Sequence, residues 1–259
     1  MFGEGKVALV AGVGPGMGRS IALGFARHGV DVALAARRPD RLRAIADEIQ
    51  ALGREALVCP TDLTDPMACR VLVEATAERF GGLDYVVQNG HHEGDWSAVL
   101  DADPRTWRSV FDVNLFGAMY LVQSAVPEMS TRGRGAVVLV NLGAALRTPV
   151  RMGAYSASKA ALATLTRTLA LEVGHLQIRV NGVFLGPVAG ENLSRLAETA
   201  ARTSGSSVQE WLTAKATEMP LGFIPTAEQC AGSVLFLCSD LAAPVTGQHL
   251  SVNGGQWTT

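Results

Sequence analysis

Tyr155 and Lys159 lie four residues apart in Ala154-Tyr155-Ser156-Ala157-Ser158-Lys159-Ala160-Ala161-Leu162. At helical pitch that spacing is about one turn, which sets both side chains on one face. An ammonium beside a phenol stabilises the phenolate and is expected to draw its pKa below the ordinary value of about 10. Such a pair suits a proton donor and acceptor for a carbonyl/alcohol couple. A second constellation, Gly12-Val13-Gly14-Pro15-Gly16-Met17-Gly18, closes the first apolar run of the chain. Glycines allow a tight turn and close approach of backbone to a pyrophosphate, and the N–H groups and dipole of the helix that follows favour negative charge. Gly12, Gly14, Gly16, Met17 and Gly18 are therefore candidate dinucleotide contacts, although tight strand–helix packing would use the same glycines.

The second apolar run ends in Ala35-Ala36-Arg37-Arg38. An acidic residue there would bind the adenine-ribose hydroxyls; Arg37 suits a 2′-phosphate instead, which favours NADP and leaves NAD as the alternative. Pro15 supplies no second basic partner inside the turn.

These residues must be positioned by the rest of the chain. Its 259 residues are 48% hydrophobic and 18% charged, enough for a sizeable core, and the formal net charge is −2. That balance favours neither nucleic acid nor an anionic membrane. Polar residues and glycines break the apolar runs before the roughly 18 residues that span a bilayer. The start of the chain lacks a basic n-region and reads as a first strand. Cys59, Cys69, Cys230 and Cys238 have no metal-ligand spacing and read as buried free thiols in a reducing cytoplasm.

Short aliphatic runs at 6–11, 31–36, 55–59, 84–88, 135–141, 177–183 and 248–252 read as strands. Their nearly continuous apolar character predicts burial on both faces. Helical patterns alternate with them at 18–28, 39–52, 66–80, 104–129, 153–173 and 226–239. Asp65-Pro66 and Asp103-Pro104 place a cap before a first-turn proline. The repeated βα units predict an α/β fold, a doubly wound parallel sheet of about seven strands with helices on both faces and right-handed crossovers. No linker interrupts residues 1–259. Residues 186–225 wander, with a helical patch at 208–216, and read as a substrate lid on a single domain.

With these motifs in order, the chain resembles the short-chain dehydrogenase/reductase family, in its single-domain branch of about 250 residues. The resemblance runs from about Lys6 to Gly255. It is carried by the glycine turn, Asp62-Leu63 after the third strand, Asn89-Gly90 after the fourth, Asn114 in Asp112-Val113-Asn114-Leu115, Tyr155-x-x-x-Lys159, and the segment Thr246–Gly255. It implies a Rossmann-like fold and a nicotinamide dinucleotide bound by the glycine turn, Arg37, Asp62, Leu63, Asn89, Gly90, Tyr155, Lys159, Gly186 and Val188. It implies that Tyr155 is the acid/base, that Lys159 lowers the tyrosine pKa and holds the nicotinamide ribose, and that Asn114 maintains a water-linked proton path to Lys159. It also implies a homotetramer, a dimer being the alternative, with 104–129, 153–173 and the last strand at the interfaces.

The departures are as informative. The family's catalytic serine lies thirteen residues before the tyrosine; here that position is Leu142, which offers no hydrogen bond. Asn141 is expected to point to the opposite face unless a bulge redirects it. Gln88-Asn89-Gly90-His91 replaces Asn-Asn-Ala-Gly, Leu185-Gly186 replaces Pro-Gly, and Gly190 stands where a threonine is usual. His91 is a candidate donor to the substrate oxygen in place of serine, although His91-His92 also fits a solvated loop. Two adjacent histidines without a third ligand do not make a metal site. Leu142, Leu146, Val150, Met152, Leu185 and Val188 are expected to line a fairly hydrophobic pocket. The reading is an NAD(P)(H)-dependent oxidoreductase interconverting a ketone and a secondary alcohol. A dinucleotide-binding sensor or complex subunit with impaired chemistry is the alternative that Leu142 raises, and lyase or epimerase chemistry is a third.

Overall fold

Val7 to Ala11 are buried without exception, and their side chains divide between two cores. Ala8 and Val10 face one cluster, and Val7, Leu9 and Ala11 face the other. This is why the first strand reads as an unbroken apolar run rather than an alternating one. In the computed structural model, which describes residues 1–258, seven parallel strands form one sheet in the order β3-β2-β1-β4-β5-β6-β7. The strands are β1 (Val7–Ala11), β2 (Asp31–Ala36), β3 (Ala56–Pro60), β4 (Tyr85–Gln88), β5 (Gly135–Leu142), β6 (Ile178–Leu185) and β7 (His249–Val252). The expected α/β doubly wound sheet is thus observed.

One face is covered by α1 (Met17–Arg27), α2 (Pro39–Ala51) and α10 (Ala227–Cys238), through Phe25, Leu42 and Val234. The other is covered by α3 (Pro66–Phe80), α5 (Gly117–Thr131) and α7 (Gly153–Val173), through Leu72, Leu121 and Leu162. The chain winds outward from β1 to β3 and then returns to β4 on the other side of β1. The strand order reverses between β1 and β4, and the carboxyl ends of the strands at that point are the usual ligand position in open α/β sheets.

Five expectations are corrected. The 104–129 helix is two helices, α4 (Pro104–Phe111) and α5, joined by a π turn at Asp112–Phe116. Because that turn carries the axis through without a break, Pro104–Thr131 is by length and composition apolar enough to cross a membrane, contrary to the expectation that no stretch is. Its buried face packs into the core through Ala118, Leu121 and Ala125. Residues 186–225 do not simply wander: besides α9 (Val208–Thr217) they form α8 (Glu191–Ser204), whose buried residues Leu193, Ala197 and Ala201 recur every fourth position. A short helix, α6 (Ala144–Arg147), follows β5. Finally, Cys59 is only half-buried, whereas Cys69, Cys230 and Cys238 are buried and their thiols are pushed up by desolvation, to about 11, 11 and 12.

At the β7 edge, the His249 ring stacks on Phe184 with 4.5 Å between centroids and fills the space beside Gly182. Burial there pushes its pKa down to about 4. Between that value and the ordinary value of about 6.5, the unfolded chain binds the proton and the folded chain does not, so stability falls as pH falls through this window. Thermal melts at pH 7 and pH 4.5 are expected to show a loss that shrinks in His249→Phe. An unchanged loss would remove His249 from the acid response.

Candidate active site

The glycine turn is built by close backbone contact. Gly12 has φ +82°, and a Cβ on it would stand 2.1 Å from the Gly90 nitrogen. The Gly12 and Val13 N–H groups donate to the Ala35 carbonyl at 2.8 and 3.1 Å, and Asn89 Nδ2 donates to the Gly12 carbonyl at 2.8 Å. Gly18 abuts the Gly12 carbonyl, where a Cβ would stand at 2.7 Å. Gly14 and Gly16 differ: nothing lies within 4 Å of a Cβ placed on either. Helix α1 starts beside that space with Gly16 at its cap, no side-chain cap and no acidic residue in its first turn. Its first N–H groups are therefore free to meet an anion, and the residues fit a dinucleotide pyrophosphate.

Arg37 is exposed at the end of β2. Across from it, Asp62 accepts from the Thr64 N–H at 3.0 Å and the Thr64 hydroxyl at 2.8 Å. Those bonds first, and the nearby Arg37 charge next, hold its carboxyl below the usual range. The Leu63 side chain is buried as a wedge against Gly90 and Gly117. Met17 is half-buried against the first core.

Farther along, the π turn sets Asn114 inward, fully buried. Its amide nitrogen donates to the His92 carbonyl and to Ser158 Oγ, both at 2.9 Å, and its oxygen accepts from the His92 N–H at 2.7 Å. Ser158 donates to the Tyr155 carbonyl at 2.8 Å. Asn114 thus pins the loop after β4 to the turn of α7 that carries the tyrosine.

Lys159 Nζ donates to the Val140 carbonyl at 3.0 Å and lies 5.9 Å from the Tyr155 ring centre. The two functional side chains are therefore together, as their spacing predicts. Their electrostatics are not as predicted. Burial pushes the Tyr155 hydroxyl well above its ordinary value, with the charge of Glu93 adding to the effect, and it pushes Lys159 down to about 7. Desolvation penalises the charged form of each group. The tyrosine is 2% exposed.

Leu142 ends β5 half-buried, leaning on the core that includes Val183 and Leu185, and it presents no polar atom. Asn141 is fully buried and points away, as expected: it donates to the Lys159 carbonyl at 2.9 Å and accepts from the Leu142 N–H at 2.9 Å. Of the expected apolar lining, Leu185 belongs to the core and Val188 is half-buried against it. Leu146 and Val150 are exposed at 46% and 90%, because they fall on and after the short surface helix α6. Gly186 is buried against Asn253. His91 lies above Tyr155, with ring centres 6.5 Å apart.

Three residues here were not foreseen. Glu93 faces His91 at 3.7 Å and is held below the usual carboxylate range by His91, with Arg195 of α8 and His92 contributing. Arg195 thereby brings 186–225 to the site. Trp257 lays its indole on Gly143, immediately after Leu142, and beside Gly186. Only the position of Glu93, two residues after His91, carried a signal in the sequence.

Fold and site together define an oxidoreductase of the dinucleotide-binding kind. Residues 12–256 match the sequence family described as enoyl-(acyl carrier protein) reductase. The chain is 31% identical over 252 residues to 7alpha-hydroxysteroid dehydrogenase of Escherichia coli strain K12, covering 97% of this chain and 94% of that one. It is 35% identical over 257 residues to L-rhamnose 1-dehydrogenase (NAD(P)(+)) of Sphingomonas sp. strain SKA58, covering 98% and 97%. The structure of L-sorbose reductase from Gluconobacter frateurii, complexed with NADPH and L-sorbose, superposes with a TM-score of 0.94 at 30% identity, over 99% of this chain and 98% of that one. The chain belongs to the short-chain dehydrogenase/reductase family.

Proposed function

We propose that the protein interconverts a ketone and a secondary alcohol on a fairly hydrophobic substrate, using NADP(H) in preference to NAD(H). The observation that carries this reading is the meeting of Tyr155 and Lys159 beside the open glycine turn. The pyrophosphate would rest on Gly14, Gly16, Met17 and Gly18, the adenosine end near Arg37 and Asp62, and the nicotinamide end near Asn89, Gly90, Lys159, Gly186 and Val188. When bound, the nicotinamide supplies or accepts the hydride. Tyr155, held protonated by burial, suits the donor role in carbonyl reduction. Lys159, shifted to about 7, can take up and release a proton near neutrality. Leu142 and the Trp257 indole give the reacting end an apolar wall.

The segment 186–225, with α8 and α9, reads as a lid on a single domain, supported by the pull of Arg195 on Glu93. Assembly as a homotetramer or dimer belongs to the same reading. Leu171 on α7 is 86% exposed and Leu250 on β7 is 40% exposed, as interface positions would be in one subunit. The location that goes with it is the cytoplasm, in keeping with four free cysteines.

The test is NADPH oxidation and NADP+ reduction across a panel of hydrophobic ketones and secondary alcohols. Tight cofactor binding with no turnover on any of them would favour the second reading, a dinucleotide-binding sensor, for which the apolar Leu142 speaks. Cofactor choice has its own test. A charge-assisted bond to a 2′-phosphate is worth about 1.5–3 kcal/mol, so Arg37→Ala should weaken NADPH binding by about ten- to a hundredfold and leave NADH within twofold. Equal losses for both cofactors would refute the assignment of Arg37 to the 2′-phosphate.

A further inference from the structure

The end of β5 leaves a chemical gap. A carbonyl oxygen that gains charge during reduction needs a second donor beside the tyrosine. Leu142 cannot supply it. Both ends of the Asn141 amide are engaged, with the Lys159 carbonyl and the Leu142 N–H. Ser156 Oγ and Trp257 Nε1 have no partner among the described residues, but both are sealed from solvent and so from a diffusing substrate.

We propose that His91, paired with Glu93, donates the hydrogen bond that holds the substrate oxygen beside Tyr155, in the role the family gives to serine. This inference rests on the oxidoreductase reading above and deepens it. The His91 ring stands edge-on to the Tyr155 ring, 6.5 Å between centres and 62° between planes. Its side chain is one-third exposed, so it faces the space a substrate would enter. Its Nε2 lies 3.7 Å from Glu93 Oε1. A carboxylate can only accept, so it keeps the proton on the nitrogen facing it and sets the ring orientation, and the ring's other nitrogen donates in the doubly protonated imidazolium form.

The backbone beneath it is fixed on both sides. Gly90 is wedged between Gly12 and Leu63, and Gln88 Nε2 donates to its carbonyl at 2.9 Å. His92 is held through both N–H and C=O by Asn114, which reaches Tyr155 through Ser158. The π turn therefore serves a purpose beyond packing, because it locks the distance between His91 and the tyrosine. The charged and titratable groups around His91 are Glu93 and His92 on its own loop, Tyr155 on α7, and Arg195 on α8 acting through Glu93. In the step itself, the proton that completes the alcohol comes from the Tyr155 hydroxyl. His91 keeps its own proton and only shares it with the developing alkoxide.

The experiment compares wild type with His91→Ala, His91→Gln, Glu93→Gln and Leu142→Ser, measuring kcat/KM on a ketone substrate, its pH profile, and cofactor Kd. His91→Ala is expected to cost about 10²–10³ in kcat/KM, the usual loss of one such donor, with cofactor Kd within twofold. His91→Gln, which can still donate, should keep activity within about tenfold of wild type. Glu93→Gln, which takes the carboxylate from beside the imidazole, should lower kcat/KM by more than about threefold with cofactor Kd within twofold. Leu142→Ser should recover at least about tenfold of kcat/KM in the His91→Ala background. His91→Ala within threefold of an active wild type overturns the proposal alone, as does a gain of about a hundredfold from Leu142→Ser by itself. A wild type that reduces no carbonyl overturns the oxidoreductase reading and this one with it.

Discussion

Replacing Tyr155 by Phe should lower kcat/KM for carbonyl reduction by about 10²–10⁴, the range contributed by a positioned acid/base. Removing one hydroxyl leaves the ring in its buried place beside Lys159, 5.9 Å from Nζ, so the fold and the cofactor Kd should stay as they are. The measurement is steady-state turnover beside a fluorescence titration with NADPH. Turnover within threefold of wild type would remove Tyr155 from the chemistry. A fall in turnover matched by a fall in cofactor affinity would recast the hydroxyl as a binding contact.

The glycine turn yields a contrast of similar size. Gly12→Ala puts a methyl 2.1 Å from the Gly90 nitrogen at a φ of +82°, against backbone that cannot give way. Left-handed strain of about 1–2 kcal/mol and overpacking of about 1–3 kcal/mol together give roughly 2–5 kcal/mol. For a chain of this size that means a fall in Tm on the order of 10 °C. Gly16→Ala meets nothing within 4 Å, so its methyl occupies only space a ligand would use. Its Tm should fall by less than about 3 °C while cofactor Kd rises more than tenfold. If Gly12→Ala melts like wild type, the packing of β1 on β4 is looser than described. If Gly16→Ala binds NADPH normally, the pyrophosphate lies elsewhere.

The strands were legible in the sequence to within one or two residues, because a strand covered on both faces must be apolar along its whole length. Val7–Ala11 and Asp31–Ala36 show this plainly. Helix α3 was legible because Asp65 caps it and Pro66 starts it, and the Asp65 carboxylate indeed accepts from the Met67 N–H. Helix α8 was hidden by its polar composition, with only Leu193, Ala197 and Ala201 marking its inner face. The π turn was invisible because it is a slip in hydrogen bonding rather than a change in residue type. The meeting of Tyr155 and Lys159 could be read from their spacing, but their ionisation could not. That depends on how much protein surrounds them, and the expected lowering of the tyrosine pKa is reversed by burial. Arg195 and Trp257 come to the site from a helix and the chain's last turn, so no local pattern announces them, and Glu93 is marked only by its place two residues after His91.

The widened turn at Asp112–Phe116 has a practical consequence for engineering. A regular α-helix is the more stable neighbour of a π turn, so variants selected for heat resistance alone will be drawn toward residues that restore ordinary pitch there. Such a repair would rotate the helix upstream of Gly117 and free the loop that Asn114 clasps. The sturdier protein would then be the poorer catalyst, and libraries aimed at thermostability should hold these five positions constant.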